Sequence, residues 1–138
     1  MKGIQTMIKV SKEEHYGTIR INLPELNYEM GLSTCMGDED FYLELLKDFT
    51  ELPVREELPV REELNRFLNE ADAKNYCIRV HGFKNNAYSV GAKEIGDMAY
   101  ELEKITKNDT FDNVPELHAR MFELYDSVCR RYNEVVVM

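Results

Sequence analysis

Between Asp72 and Ala92 the chain reads DAKNYCIRVHGFKNNAYSVGA, and within it Tyr76, Val80, Phe83, Ala87 and Val90 recur at steps of four and three. On a helix that turns about 100° per residue, these five side chains fall in one narrow apolar stripe, which predicts a core-facing amphipathic helix. Measured from the middle of the stripe, His81 points roughly 140° away, Asn85 about 180°, Tyr88 about 120° and Lys84 about 80°. The imidazole is therefore expected in solvent. Lys84, one turn after it, reaches the same surface, so a negative group on the ring would meet an ammonium without any backbone change.

The rest of the chain carries the same periodicity. Asn27 is placed to cap a short helix running to about Cys35, with Gly37 ending it in a left-handed conformation. Asp38 caps the next helix, Glu39 and Asp40 meet its dipole in the first turn, and Phe41, Leu45, Phe49 and Leu52 are its expected inner face, flanked by Tyr42 and Leu46. Then LPVREE at 52–57 is repeated without a gap at 58–63. Pro53 and Pro59 cannot donate backbone hydrogen bonds and press on the carbonyl four residues back, so a kink or break is expected between Thr50 and Val60. Two short copies do not make a repeat architecture, and the hexamer reads as a local duplication. Leu64, Phe67 and Leu68 resume the helical pattern, and Asp72 caps the helix that bears His81. After Gly91 come Ile95, Met98, Leu102 and Ile105. Leu117, Met121, Leu124, Val128 and Tyr132 follow a start at Asp112 or Asn113, with Pro115 suited to the first turn. Four long helical patterns with short connectors predict an all-α fold, an up-down four-helix bundle with a short helix before it.

The bundle domain is expected over 23–138, preceded by an extension over 1–22 that supports two readings, a hairpin of short strands or a frayed tail. At 138 residues the chain suits a single core. Its 31% charged and 43% hydrophobic residues suit a globular protein rather than a disordered one. Seventeen basic against twenty-six acidic residues give a net charge of −9, which argues against nucleic acid as a partner. Cys35, Cys77 and Cys129 fit neither a disulfide framework nor a zinc pattern and read as reduced thiols. No apolar run is long enough to insert in a membrane, and the N-terminus lacks a signal peptide's apolar core, so a cytoplasmic location is expected. His15 reads as solvated. His118, beside the last apolar stripe with no partner at metal spacing, reads as a half-exposed structural residue, and acidic runs such as Glu101-Leu102-Glu103 read as a solvated face.

The series His81-Gly82-Phe83-Lys84, followed by Gly91-Ala92 and an apolar helix ending in Leu102-Glu103, resembles the histidine phosphotransfer (HPt) domains of bacterial phosphorelays. Their motif is His, any residue, an apolar residue, Lys, a small residue, five spacers and Gly-Ala. The resemblance runs from about Leu23 to Asn133 and includes Gly31-Leu32, Cys35 and the lead-in Gly37-Asp38-Glu39-Asp40-Phe41-Tyr42. One position departs: Asn85 stands where the family usually carries Gly or Ser, a small residue that lets a partner approach closely. The resemblance implies that His81 accepts a phosphoryl group from the aspartyl-phosphate of a response-regulator receiver domain and passes it to another receiver. The resemblance also implies a hybrid sensor histidine kinase upstream. Lys84 would hold the phosphoryl oxygens, Cys77, Ile78, Asn85 and Tyr88 would surround the histidine on the docking face, and Gly91 and Ala92 would shape the bend. No cofactor or metal is implied for this chain, magnesium belonging to the receiver.

The residues themselves leave alternatives. There is no phosphate-binding glycine loop or nucleotide fingerprint, so the chain is not expected to be an enzyme that cleaves ATP. Near His81 the sequence offers no carboxylate to orient the ring as a general base and no nucleophile beside it. A docking module that binds receivers without accepting phosphate is the main rival, with Asn85 in its favour. A thiol enzyme using Cys77 and His81 would need an orienting carboxylate from another helix.

Overall fold

The structure, a computed structural model, describes residues 26–50 and 60–136, with side chains in the last helix as far as Arg130. Within these residues there are helices and no strand: α1 Tyr28–Thr34, α2 Glu39–Thr50, α3 Val60–Asn69, α4 Ala73–Ser89, α5 Lys93–Lys107 and α6 Val114–Val136. The break expected between Thr50 and Val60 falls on 51–59, outside the described residues, as does the hairpin or tail expected over 1–22.

Helix starts follow the acceptors that the sequence supplies. Asn27 accepts the Met30 N–H at 2.9 Å, Asp38 the Phe41 N–H at 3.1 Å and Asp72 the Asn75 N–H at 3.1 Å. The start of α6 differs from expectation, because Asn113 precedes it at φ +63, away from the extended backbone of a side-chain cap, although Pro115 does stand in the first turn. At the end of α1, Met36 and Gly37 are both left-handed, and their N–H groups reach the carbonyls of Ser33 and Leu32 at 3.0 Å.

Side-chain pairs give the helices their directions. Cys77 with Glu103, Lys84 with Tyr100 and Tyr88 with Gly96 make α4 and α5 antiparallel. Tyr76 with His118 and Phe83 with Phe122 set α6 parallel to α4. Tyr42 on Val90 and Phe49 on Phe83 run α2 against α4, while Arg61 on Asp126 and Asn65 on His118 run α3 against α6. This all-α packing is compatible with the up-down four-helix bundle expected from the periodicity. No described helix is long and apolar enough to cross a membrane.

All five residues of the α4 stripe are buried. The α2 face is not the expected one: Tyr42, Leu46, Phe49 and Thr50 point inward, Leu45 is half-buried and Phe41 is 47% exposed, with Leu52 outside the described residues. The reason is polar. Tyr42 donates its hydroxyl to the Val90 carbonyl at 3.1 Å and meets Tyr28 edge to face, so the helix turns to bury the tyrosine at the expense of the phenylalanine before it. Phe49, Phe83, Phe122 and Tyr125 then form a contiguous aromatic cluster, closed by the Tyr125 hydroxyl on the Phe49 carbonyl at 2.6 Å.

The other correction is His118, which is buried within the α6 stripe and not half-exposed. Tyr76 supplies a hydroxyl 2.8 Å from Nδ1 and Asn65 a carbonyl oxygen 2.8 Å from Nε2. Neutral imidazole satisfies both, with Nε2–H donating to Asn65 and Nδ1 accepting from Tyr76. Burial, with Arg61 adding to it, lowers the ring's pKa from its ordinary 6.5 to about 4.

The folded state disfavours the charged form of His118, so its contribution to stability is complete above pH 6.5 and is lost as pH falls toward 4. Over that window the wild type should lose roughly 3 kcal/mol relative to His118→Gln, which takes up no proton; equal pH slopes in urea unfolding would refute the burial argument. Deleting one LPVREE copy, whichever is removed, leaves LPVREE directly before Leu64, so the contacts made by Val60, Arg61 and Glu63 in α3 are preserved. The shortened connection should change stability by less than about 1 kcal/mol. Thermal unfolding checks this, and loss of a cooperative transition would show that the length between the helices matters.

Candidate functional site

α4 delivers His81 to the surface, with 51% of its side chain exposed. Ile78, one turn earlier, is 62% exposed, and Asn85, one turn later, is also exposed. Gly82 has open space where a side chain would stand. His81, Ile78 and Asn85 thus form a strip of accessible surface along the helix, as the angular positions of His81 and Asn85 anticipated.

The site's organising group comes from α5. Glu103 Oε2 lies 2.7 Å from His81 Nδ1, and its Oε1 lies 2.8 Å from Lys84 Nζ. The expectation that no carboxylate orients His81 is therefore corrected, and Glu103 is not part of a solvated face: only 17% of its side chain is exposed, and 15% of that of Lys84. Burial raises the Glu103 carboxyl, but the Lys84 ammonium and the His81 ring outweigh it and hold the group below the usual carboxylate range. A carboxylate can only accept. In the neutral ring Nδ1 therefore carries the proton, and the lone pair is on Nε2, the nitrogen turned away from Glu103. The Asn85 amide nitrogen lies 3.3 Å from Nε2 and donates to it.

Lys84 shares the Glu103 carboxylate with His81, and its largely buried ammonium lies 5.3 Å from the centre of the Tyr100 ring. Cys77 is directed elsewhere, its thiol donating to the Glu103 backbone carbonyl at 3.6 Å. Tyr88 is half-buried between α4 and α5, its ring so close to Gly96 that a Cβ there would come within 2.5 Å of Cε1. Its hydroxyl donates to Asp97 at 2.6 Å, and burial together with that bond raises its pKa to about 12. Gly91 and Ala92 are buried in the bend, away from the exposed strip.

A signal for Glu103 did exist in the sequence. Ala92 lies eleven residues after His81, and Glu103 eleven after Ala92, so an antiparallel pair folded about Ala92 sets the two opposite each other. The residue was missed because its alternation with Leu102 looks the same whether the face beside it is open or covered. Among the described residues no three His, Cys, Asp or Glu side chains converge as a metal ion would need. Compared with protein-family models, curated proteins and solved structures, the chain gives no match.

The packing of Tyr88 gives it a structural as well as a surface role. Tyr88→Ala should destabilise the domain by about 2 kcal/mol, while Tyr88→Phe, which keeps the ring on Gly96, should cost no more than about 1 kcal/mol. Denaturant unfolding of both variants is the check, and equal losses would place the stabilisation in the Asp97 bond.

Proposed function

We propose that this domain is a phosphoryl carrier of the histidine phosphotransfer type, with His81 Nε2 as the acceptor. The observation that carries this reading is the bridge made by Glu103, which holds Nδ1–H with one oxygen and the Lys84 ammonium with the other, and so directs the free lone pair of the ring to Nε2. In the step itself the Nε2 lone pair forms the N–P bond as the P–O bond of a receiver's aspartyl-phosphate breaks, and the aspartate leaves with the electron pair. The ring keeps its Nδ1 proton and becomes cationic, a charge that the Glu103 carboxylate stabilises in place. Passing the group to a second receiver reverses these events.

Phosphoryl transfer depends mainly on positioning and charge stabilisation, which suits a site with one fixed ring and one cation. Lys84 needs only to turn from Glu103 toward the arriving oxygens. The reading makes the chain a cytoplasmic relay protein between receivers, downstream of a hybrid sensor kinase, and not an enzyme with its own nucleotide site. The bundle serves to hold α4 and α5 in register. A second reading, a docking module that binds receivers without accepting phosphate, is favoured by the Asn85 amide resting on Nε2.

His81→Gln should abolish acceptance of label from a phosphorylated receiver while changing stability by no more than about 1 kcal/mol, since the new amide can still donate to Glu103. Lys84→Ala should slow transfer by about one to two powers of ten, the loss of one charge-assisted contact. Acid-labile label on the purified domain is the readout. Uptake by His81→Gln would place the site elsewhere, and binding of receivers without any uptake by the unaltered domain would select the docking module.

A further inference from the structure

We infer that Asn85 is a gate on the nucleophile: its amide rests on the Nε2 lone pair and must turn away before a phosphoryl donor can come in line. The inference rests on the carrier reading for its role in transfer, but its chemistry concerns Nε2 alone. Three observations support it. Glu103 holds the proton on Nδ1, so the contact between Asn85 Nδ2 and Nε2 at 3.3 Å has one polarity, amide donor to ring acceptor. That lone pair is the one an incoming phosphorus must meet, so the amide and the donor compete for the same position. Opening requires only a side-chain rotation, because Asn85 is exposed and its backbone carbonyl is separately held by the Ser89 hydroxyl at 2.8 Å.

A long hydrogen bond at an exposed site is weak, so the gate slows reaction by a modest factor rather than blocking it. Its effect differs with the donor. A docked protein can offset the turning of the amide with contacts made elsewhere on the face, whereas a small phosphoryl compound has no such contacts. Asn85 therefore biases His81 toward protein-bound phosphoryl groups and against small phosphodonors. A purely steric role for Asn85 would have the opposite bias, hindering the bulky partner most.

The test compares the wild type with Asn85→Ala and with Asn85→Asp, which keeps the size but replaces the donor with an acceptor. Two rates are measured at His81: acylation by diethyl pyrocarbonate, resolved from His15 and His118 by peptide mass spectrometry, and phosphorylation by phosphoramidate. Helicity of each variant is checked by circular dichroism. Asn85→Ala should raise both rates by about two- to tenfold, and its gain with a phosphorylated receiver should be smaller. Asn85→Asp, whose carboxylate favours a proton on Nε2, should be slower than the wild type with both reagents. The gate is overturned if Asn85→Ala leaves acylation unchanged or slower, or if the receiver gains more than phosphoramidate does. Faster acylation with no phosphoryl uptake by any variant would retain the gate and discard the carrier.

Discussion

Where α4 gives way to α5, the backbone passes so close to that of α1 that only a glycine fits. Gly91 sits at φ +81, and a Cβ on it would collide with the Asn27 carbonyl, while the Asn27 N–H donates back to the Gly91 carbonyl at 2.7 Å. Gly31 is equally constrained, since a side chain there would run into Tyr42 and the Val90 carbonyl. These contacts tie three helices to one bend. The short turn at this bend and the seating of Tyr88 on Gly96 set the register of the α4–α5 pair, and that register decides which residue of α5 stands opposite His81. Shifted by one position, α5 would present Leu102 or Lys104 to the ring, and the proton on Nδ1 would lose its acceptor.

Two histidines in this chain show how environment sets chemistry. His118 is buried with both nitrogens satisfied by neutral partners, and burial penalises its charged form. It works as a polar strut linking α3, α4 and α6. His81 has one nitrogen on a carboxylate and the other at the surface, so positive charge developing on its ring is met by a fixed negative group. Glu103 can serve this role because Lys84 and His81 together hold its carboxyl below the usual range against the effect of burial. Removing the lysine would therefore act on the histidine through the shared carboxylate as well as directly, which makes the three side chains one electrostatic unit.

Legibility in the sequence depended on whether a residue's position is set locally or by a neighbour. The α4 stripe was fully readable because its residues are apolar, evenly spaced and without a competing polar demand. The caps at Asn27, Asp38 and Asp72 were readable because each acts within its own first turn. On α2 the pattern misled: Phe41 and Tyr42 are adjacent aromatics of similar bulk, and the choice between them was made by a carbonyl on a different helix. His118 was misjudged in the same way, since Asn65 and Tyr76, which make its burial tolerable, are 53 and 42 residues distant in sequence.

The sequence by itself determined that the described chain is helical, where most of its helices begin, and that His81 and Asn85 face solvent, because helical periodicity and first-turn capping are properties of contiguous residues. Only the tertiary structure decided that Lys84 is paired, that Tyr88 packs on Gly96 and that Glu103 selects which nitrogen of His81 is free. Those outcomes depend on how α4 and α5 pack on each other: the equal spacings about Ala92 set Glu103 opposite His81 only once the chain folds back there, and whether that face is open or covered is not a property of contiguous residues.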